Sequence, residues 1–112
     1  VDRNIPIHST ATMVDDRYQI THSEEEKILK AHFLSEDPLI LHSFPTKEKK
    51  KIAVLRRIVT IFELDTPYTE LEVNAKLKDT YDDFATLRRY LIEYGFMHRS
   101  PDGKRYLRCK GV

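Results

Sequence analysis

Cys109 is the only cysteine in this chain of 112 residues, so neither an internal disulfide nor a zinc site built from cysteines can hold the fold together. A chain of this length is typical of a single domain, since one hydrophobic core is usually built from about 100 to 150 residues. The fold must therefore depend on side-chain packing alone, and a reducing cytoplasm suits such a chain.

The composition supplies enough apolar surface for a small core. Apolar residues make up 40% of the chain and charged residues 33%, which is typical of a folded domain and excludes a disordered or low-complexity chain. No stretch approaches the roughly 18 consecutive apolar residues of a membrane span, and residues 1–17 lack the apolar centre of a secretory signal. We therefore expect a soluble cytoplasmic protein that does not contact a membrane.

Positive charge is concentrated in the C-terminal part of the chain. Residues 1–46 contain four Lys/Arg and eight Asp/Glu, a net charge of −4, whereas residues 47–112 contain fifteen and ten, a net charge of +5. Residues 96–112 alone have a net charge of +4. Such asymmetry is found on surfaces that face a polyanion, and charged runs are also common on solvated faces.

The N-terminal part predicts one helix after an irregular arm. Residues 1–22 follow neither the helical nor the strand period, so we predict a tail or a loosely attached arm. Ser23 and Glu26 have the spacing of a capping box, and a helix is predicted over about residues 24–35. Asp37-Pro38 ends this helix, and residues 39–41 are predicted to form a short strand.

Two further helices are predicted in the middle of the chain. The lysine run at residues 47–51 begins a helix whose apolar residues recur at spacings of three and four, the period of a buried helical face. Asp65-Thr66-Pro67 ends it, and Tyr68-Thr69 is long enough only for a bridging strand. Thr69 and Glu72 form a second capping box, which predicts a helix over about residues 70–78.

The C-terminal part predicts a helix and a hairpin. Asp82 and Asp83 favour a helix start, and a helix with one buried face is predicted from Asp82 to Tyr94. Gly95 is a good stop, because glycine adopts the left-handed conformation without penalty. Two short alternating segments then flank the turn of residues 100–103, which predicts a β-hairpin.

This order of elements indicates an α+β, mostly helical fold. It matches a winged helix-turn-helix with an extra N-terminal helix and a C-terminal β-hairpin wing, in a single domain over residues 23–110. In such a fold the second helix of the pair lies in the major groove and a basic hairpin reaches the flanking phosphates. The outward stripe of the second helix consists of Asp82, Thr86, Arg89 and Glu93, with Arg88 at its margin.

The hairpin contains much of the positive charge available for phosphate contacts. Strand alternation places Lys104, Tyr106 and Arg108 on one face and Arg105 and Leu107 on the other. Lysine and arginine on an edge hairpin also prevent aggregation between edges, so both interpretations stay open at this point.

An ordered set of residues between Ile28 and Arg108 resembles a known family. The set consists of Phe44 to Lys47, Tyr68 to Asn74, Asp83, Leu87 to Leu91, Gly95, Arg99, Gly103 and Tyr106. It is similar to a bacterial domain family of unknown function that occurs in hypothetical proteins and at the C-terminal end of transcriptional regulators. The resemblance implies a winged-helix-like fold and a nucleic-acid-binding role, without an agreed reaction or ligand.

The adjacent arginines Arg88 and Arg89 cannot serve the same contact, because neighbouring residues on a helix point about 100° apart. We expect Arg88 to pair with Glu70 or Glu72 and Arg89 to point outward. Alternatively, both arginines form pairs within the molecule. Asn74 is expected to cap or bridge the turn between the two helices rather than contact a ligand.

Four lysines lie at a helix start, where positive charge is unfavourable: Lys47, Lys49, Lys50 and Lys51. Solvent, a phosphate backbone or the acidic N-terminal part of the chain are the candidates for compensation. The tyrosines are expected at the edges of the core rather than as stacking platforms for bases.

No catalytic or metal-binding set is present in the sequence. The five histidines include no pair at the i, i+4 spacing, and the chain lacks a glycine-rich phosphate loop and a nucleophile elbow. We therefore expect no enzyme activity, metal or cofactor. Cys109 is expected to be incidental, although Arg108 and Lys110 would lower the pKa of an exposed thiol at this position.

The leading hypothesis is a winged-helix transcriptional regulator that binds double-stranded DNA as a homodimer. Its predicted nucleic-acid-binding residues are Thr86, Arg88, Arg89, Arg99, Lys104, Arg105 and Arg108. The alternative is a protein-interaction or dimerisation module on the same scaffold, favoured by the acidic residues of the second helix. A third hypothesis, a small-molecule sensor, requires a pocket between the N-terminal helix and the core.

Overall fold

The computed structural model describes residues 20–110, which form a small α+β fold. The predicted arm lies outside this range except for residues 20–22, of which Ile20 packs on the core. About half of the described residues are helical. The elements in chain order are α1 His22–His32, β1 Phe33–Glu36, β2 Leu39–Leu41, α2 Glu48–Ile58 with a 3₁₀ turn Val59–Ile61, α3 Glu70–Thr80, α4 Phe84–Glu93, β3 Met97–Arg99 and β4 Tyr106–Arg108.

Helix α1 begins two residues earlier than predicted, because Thr21 rather than Ser23 is its cap. The Thr21 hydroxyl accepts a hydrogen bond from the Glu24 amide at 3.1 Å, and the Glu24 carboxylate accepts one from the Thr21 amide at 3.1 Å. The predicted Ser23–Glu26 capping box is therefore wrong. The same pattern of a hydroxyl residue and a glutamate three positions later also occurs at Thr21, and there both hydrogen bonds form.

The predicted end of α1 at residue 35 is also wrong. Phe33 has an extended backbone and starts a hairpin, in which Phe33 pairs with Leu41 and Glu36 with Leu39. Phe33, Leu39 and Leu41 are buried in the core. Pairing with a partner strand outweighs the local helical pattern at this point, and the predicted strand over residues 39–41 is confirmed.

Helix α2 is buried more completely than any neighbouring helix. Ile52, Ala53, Val54, Leu55 and Ile58 are each fully buried, which leaves α2 little solvent-facing surface beyond its first turn and its arginines. Helices α1 and α4 both pack against it.

Ion pairs fasten α1 and β1 to α2. The Lys49 ammonium lies 2.8 Å from the Glu24 carboxylate, and the Arg56 guanidinium lies 3.4 Å from the Glu25 carboxylate. A third ion pair, between Glu36 and Arg57, joins β1 to α2. Acidic residues from the N-terminal part of the chain thus compensate Lys49, one of the four lysines at the start of α2.

Helices α3 and α4 are joined by the short turn of residues 81–83. The predicted Thr69–Glu72 capping box of α3 is confirmed, and the Asp83 carboxylate caps α4 through the Thr86 amide. Gly95 follows α4 with a φ of +80°, the left-handed conformation that glycine was expected to supply there.

The C-terminal hairpin is attached to the segment that precedes α3. Strand β4 pairs with β3 through Met97–Arg108, His98–Leu107 and Arg99–Tyr106. On its other side, Tyr106 exchanges two backbone hydrogen bonds with Tyr68, at 2.8 and 2.9 Å. Strand β4 therefore lies between β3 and the predicted bridging residue Tyr68, next to the start of α3.

None of the helices in residues 20–110 has both the length and the apolar character needed to cross a bilayer.

Two leucines of α3 test how far the core determines stability. Leu77 is fully buried, whereas the Leu71 residue is 80% exposed. We expect Leu77→Ala to lower the free energy of unfolding by about 2 to 5 kcal/mol, because it leaves a cavity. The matched control Leu71→Ala should change it by about 0.5 kcal/mol or less. Urea unfolding followed by circular dichroism measures both, and equal losses would contradict this packing.

Candidate functional site

A cleft of about 400 Å³ lies between α4 and the C-terminal hairpin. It brings together four of the seven residues predicted to bind nucleic acid, three of which are arginines. The lining residues are Ala85, Thr86, Arg88, Arg89, Ile92, Glu93, Arg99 and Tyr106. The helix and the hairpin thus present their guanidinium groups to one concave surface.

Arg88 is held by a neutral amide. Its guanidinium donates a hydrogen bond to the side-chain oxygen of Asn74 on α3. The expected ion pair of Arg88 with Glu70 or Glu72 is therefore wrong, because both carboxylates have other partners. Glu70 accepts a hydrogen bond from the Tyr106 hydroxyl at 3.0 Å, and Glu72 closes the capping box of α3.

Asn74 has the bridging role that was expected of it, since its amide connects α3 to α4. The positive charge of Arg88 is not neutralised by this contact, because the asparagine side chain is uncharged.

Arg89 points outward, as predicted, and also has a partner within its own helix. Its side chain is 63% exposed, and its Nε lies 3.7 Å from a carboxylate oxygen of Glu93, one turn later. The guanidinium also lies over the ring of Tyr90, 5.5 Å from the centroid. The expected outward orientation and the alternative of an internal pair thus both apply to Arg89.

Tyr90 belongs to an aromatic cluster that sequence reasoning did not identify. The ring of Phe44 stacks on Tyr90 with a centroid distance of 5.2 Å, and the ring of Tyr94 lies tilted beside Tyr90 with a centroid distance of 5.8 Å. Burial and a hydrogen bond from its hydroxyl to Glu48 raise the pKa of Tyr94. The cluster fastens α4 to the segment before α2 and to its first turn.

The tip of the hairpin is an ordered turn with exposed cations. The Asp102 carboxylate accepts hydrogen bonds from the Ser100 hydroxyl and from the Lys104 amide, and these bonds lower the pKa of Asp102. The Lys104 and Arg105 side chains remain exposed, as does that of Arg99 on β3. Within residues 20–110, none of these three cations forms an ion pair with a carboxylate.

Arg108 turns towards the core instead of towards the cleft. Its Nη1 donates to the Phe62 carbonyl at 3.0 Å, and its Nε is buried without a hydrogen-bond partner in the described part of the chain. The predicted alternation of β4 is confirmed for Tyr106 and Leu107, of which the first is buried and the second 36% exposed. The same alternation places Arg108 on the inner face, where it joins β4 to the end of the 3₁₀ turn.

Cys109 is half-buried, and burial raises the pKa of its thiol. The sequence led us to expect that neighbouring cations would lower this pKa only if the thiol were exposed. The thiol is half-buried, and its pKa is raised instead. The two cations have other partners, since Arg108 contacts Phe62 and the Lys110 ammonium lies 3.0 Å from the Asp65 carboxylate.

A smaller cleft of about 250 Å³ lies between α1 and the start of α2, where the sensor hypothesis requires a pocket. Ile28 and both residues of the Glu24–Lys49 ion pair contribute to its lining. Among residues 20–110, no group of three or more His, Cys, Asp or Glu side chains is arranged to hold a metal ion.

Comparison with known proteins identifies one family. Residues 40–108, more than half of the chain, match a family described as an uncharacterized protein conserved in bacteria (DUF2087). No curated protein and no solved structure matches the chain. The matched segment runs from β2 to the last residue of β4, so it contains every residue that lines the larger cleft and excludes α1.

The different surroundings of two hairpin arginines give a test of their roles. We expect Arg108→Ala to lower the free energy of unfolding by about 1 to 3 kcal/mol, because it leaves the buried Phe62 carbonyl without its donor. Arg105→Ala, at an exposed position in the same hairpin, should change stability by about 0.5 kcal/mol or less. Thermal unfolding of the two variants checks this, and a larger loss in Arg105→Ala would be inconsistent with the described contacts.

Cys109 should react slowly with iodoacetamide near neutral pH. A raised thiol pKa leaves less of the reactive thiolate, and half-burial limits access to the sulfur. Mass spectrometry of alkylation over time, in buffer and in denaturing urea, measures the difference. We expect faster alkylation in urea, and a native rate equal to the denatured one would show that Cys109 is not protected.

Proposed function

The chain belongs to this uncharacterized bacterial family (DUF2087), and we propose that it is a winged-helix domain that regulates transcription by binding the phosphate backbone of double-stranded DNA. The observation that carries the proposal is the shared cleft of α4 and β3, to which Arg88, Arg89 and Arg99 contribute. A guanidinium group offers two parallel N–H donors to phosphate oxygens, so arginines from two elements suit a nucleic-acid backbone.

The arrangement of the elements supports the winged-helix part of the proposal. Helices α3 and α4 are joined by a three-residue turn, the usual length in a helix-turn-helix, and an antiparallel hairpin follows directly. The bridge from Tyr68 to β4 adds a third, very short strand beside the hairpin. In this assignment α4 is the recognition helix and the hairpin is the wing.

The start of α4 favours phosphate contacts over the reading of bases. Recognition helices usually contact base edges through their first residues, and here Asp82 and Asp83 are acidic and exposed. The Asp83 carboxylate accepts hydrogen bonds from both the amide and the hydroxyl of Thr86, the latter at 2.8 Å. The Thr86 hydroxyl therefore donates its hydrogen bond within the helix cap, although Thr86 lines the cleft.

The cations of the wing extend the same surface. Lys104 and Arg105 are exposed at the tip of the hairpin, beyond Arg99, and their carboxylate neighbour Asp102 is engaged in the turn. Arg108 is left out of the proposed contact set, because its guanidinium is hydrogen-bonded to the Phe62 carbonyl. The proposed contacts are therefore Arg88, Arg89, Arg99, Lys104 and Arg105.

The protein-interaction alternative is favoured by one specific observation. Leu71, on the first helix of the proposed pair, is 80% exposed, so its apolar side chain is available to a partner. The homodimer stays a prediction, and sedimentation of the free protein and of its DNA complex measures the stoichiometry.

DNA binding should weaken steeply with salt. Four to five phosphate contacts give a slope of about −4 in a plot of log K against log salt, because each contact releases about 0.9 counterion. The triple variant R99E/K104E/R105E should abolish retardation of a random duplex in a native gel. Its matched control, K27E/K30E/K50E, reverses three exposed lysines of α1 and α2 and should keep most of the slope.

Two results would refute DNA binding by this surface. One is the absence of binding at micromolar protein, or a flat salt dependence between about 50 and 200 mM. The other is an equal loss of affinity in both triple variants, since overall charge rather than the proposed surface would then govern binding. Retention of a protein partner by R99E/K104E/R105E, without any DNA binding by the wild type, would support the interaction module.

A further inference from the structure

The two arginines that α4 contributes to the cleft differ in the charge of their partners. Arg88 donates to Asn74, a neutral amide on α3. Arg89 faces Glu93, an ionisable carboxylate on its own helix, at 3.7 Å. Both arginines line the cleft, as does Glu93 itself.

The neutral partner fixes an arginine without cancelling its charge. A guanidinium has five N–H donors, and the contact with Asn74 uses one of its nitrogens, so other donors remain for a phosphate. The contact also ties the Arg88 side chain to α3, which reduces the entropy that a flexible arginine loses on binding. The guanidinium of Arg88 is therefore already oriented before a phosphate binds.

The charged partner has the opposite effect. A carboxylate within ion-pair distance of Arg89 lowers the positive potential at that edge of the cleft, and it occupies the Nε side of the fork. Both side chains of this pair are more than half exposed, and exposed pairs contribute little stability, so a phosphate can displace Glu93 at a small cost.

We propose that Asn74 and Glu93 set the phosphate affinity of the cleft in opposite directions. Asn74 is a positioning residue that holds Arg88 in a charged, phosphate-accessible state, and Glu93 is an internal competitor for Arg89. The proposal rests on the proposed function and deepens it, because it identifies two residues that tune binding without themselves contacting the phosphate.

Two nearly isosteric substitutions test the proposal by exchanging the partners' charges. Glu93→Gln removes the competitor, and we expect about two- to fivefold tighter binding of a fluorescent random-sequence duplex, with a salt slope steeper by about 1. Asn74→Asp gives Arg88 a carboxylate partner, and we expect weaker binding by a similar factor, with a slope shallower by about 1. The double variant N74D/E93Q should bind within about twofold of the wild type, because the two opposite effects on affinity cancel when they are additive.

Matched controls separate these local effects from overall charge. Glu26→Gln removes an exposed carboxylate that also has an i, i+4 partner, His22, but lies on α1. Ser23→Asp adds a negative charge at an exposed position of the same helix. Fluorescence anisotropy across a salt series gives affinity and slope for each variant, and thermal unfolding confirms that each is folded.

Each outcome decides between the two proposals. Effects of E93Q and N74D no larger than those of E26Q and S23D, in a wild type that binds DNA, would overturn the roles of Glu93 and Asn74 and leave DNA binding standing. Failure of the wild type to bind DNA would overturn both proposals. If N74D does not fold, E93Q alone decides, because Glu93 is exposed and its amide variant keeps the size of the side chain.

Discussion

The burial of α2 is the constraint on which the rest of the structure depends. Its apolar side chains are fully buried on more than one face, so other elements must cover it on several sides. Helix α1 covers one side and α4 another, and α4 gains a second attachment through the stacking of Tyr90 on Phe44. Because α4 is fixed in this way, the direction of its outward arginines follows from packing on its opposite face.

Polar contacts then determine which charges remain available at the surface. Glu70 is occupied by the Tyr106 hydroxyl and Glu72 by the cap of α3, so neither carboxylate reaches Arg88. Arg108 is drawn inward by the Phe62 carbonyl. The distribution of positive charge around the cleft thus depends on the hydrogen bonds that hold the hairpin and α3 in place, and counting charges along the sequence does not reveal it.

Local signals in the sequence were sufficient where the decisive contacts are local. The Thr69–Glu72 cap, the left-handed Gly95 and the C-terminal hairpin were all predictable, because each depends on residues within a few positions of one another. The end of α1 and the partner of Arg88 were not, because a strand partner eight residues away and competing donors decide them. Four predicted site residues meet in one cleft, because strand alternation and the helical period determine which residues share a face. The inward turn of Arg108 was not predictable in this way, because it depends on the Phe62 carbonyl, 46 residues away.

The acidic residues near the cleft differ in what their carboxylates do in the structure. Asp83 and Asp102 lie close to the proposed contacts, yet each carboxylate accepts two hydrogen bonds from its own cap or turn. They shape the surface that presents the arginines, and removing either would disturb that surface. Glu93 is different, because its contact in the described structure is with Arg89 and it caps no helix or turn. Of these three acids it is therefore the one whose charge can change while the geometry of the cleft is retained.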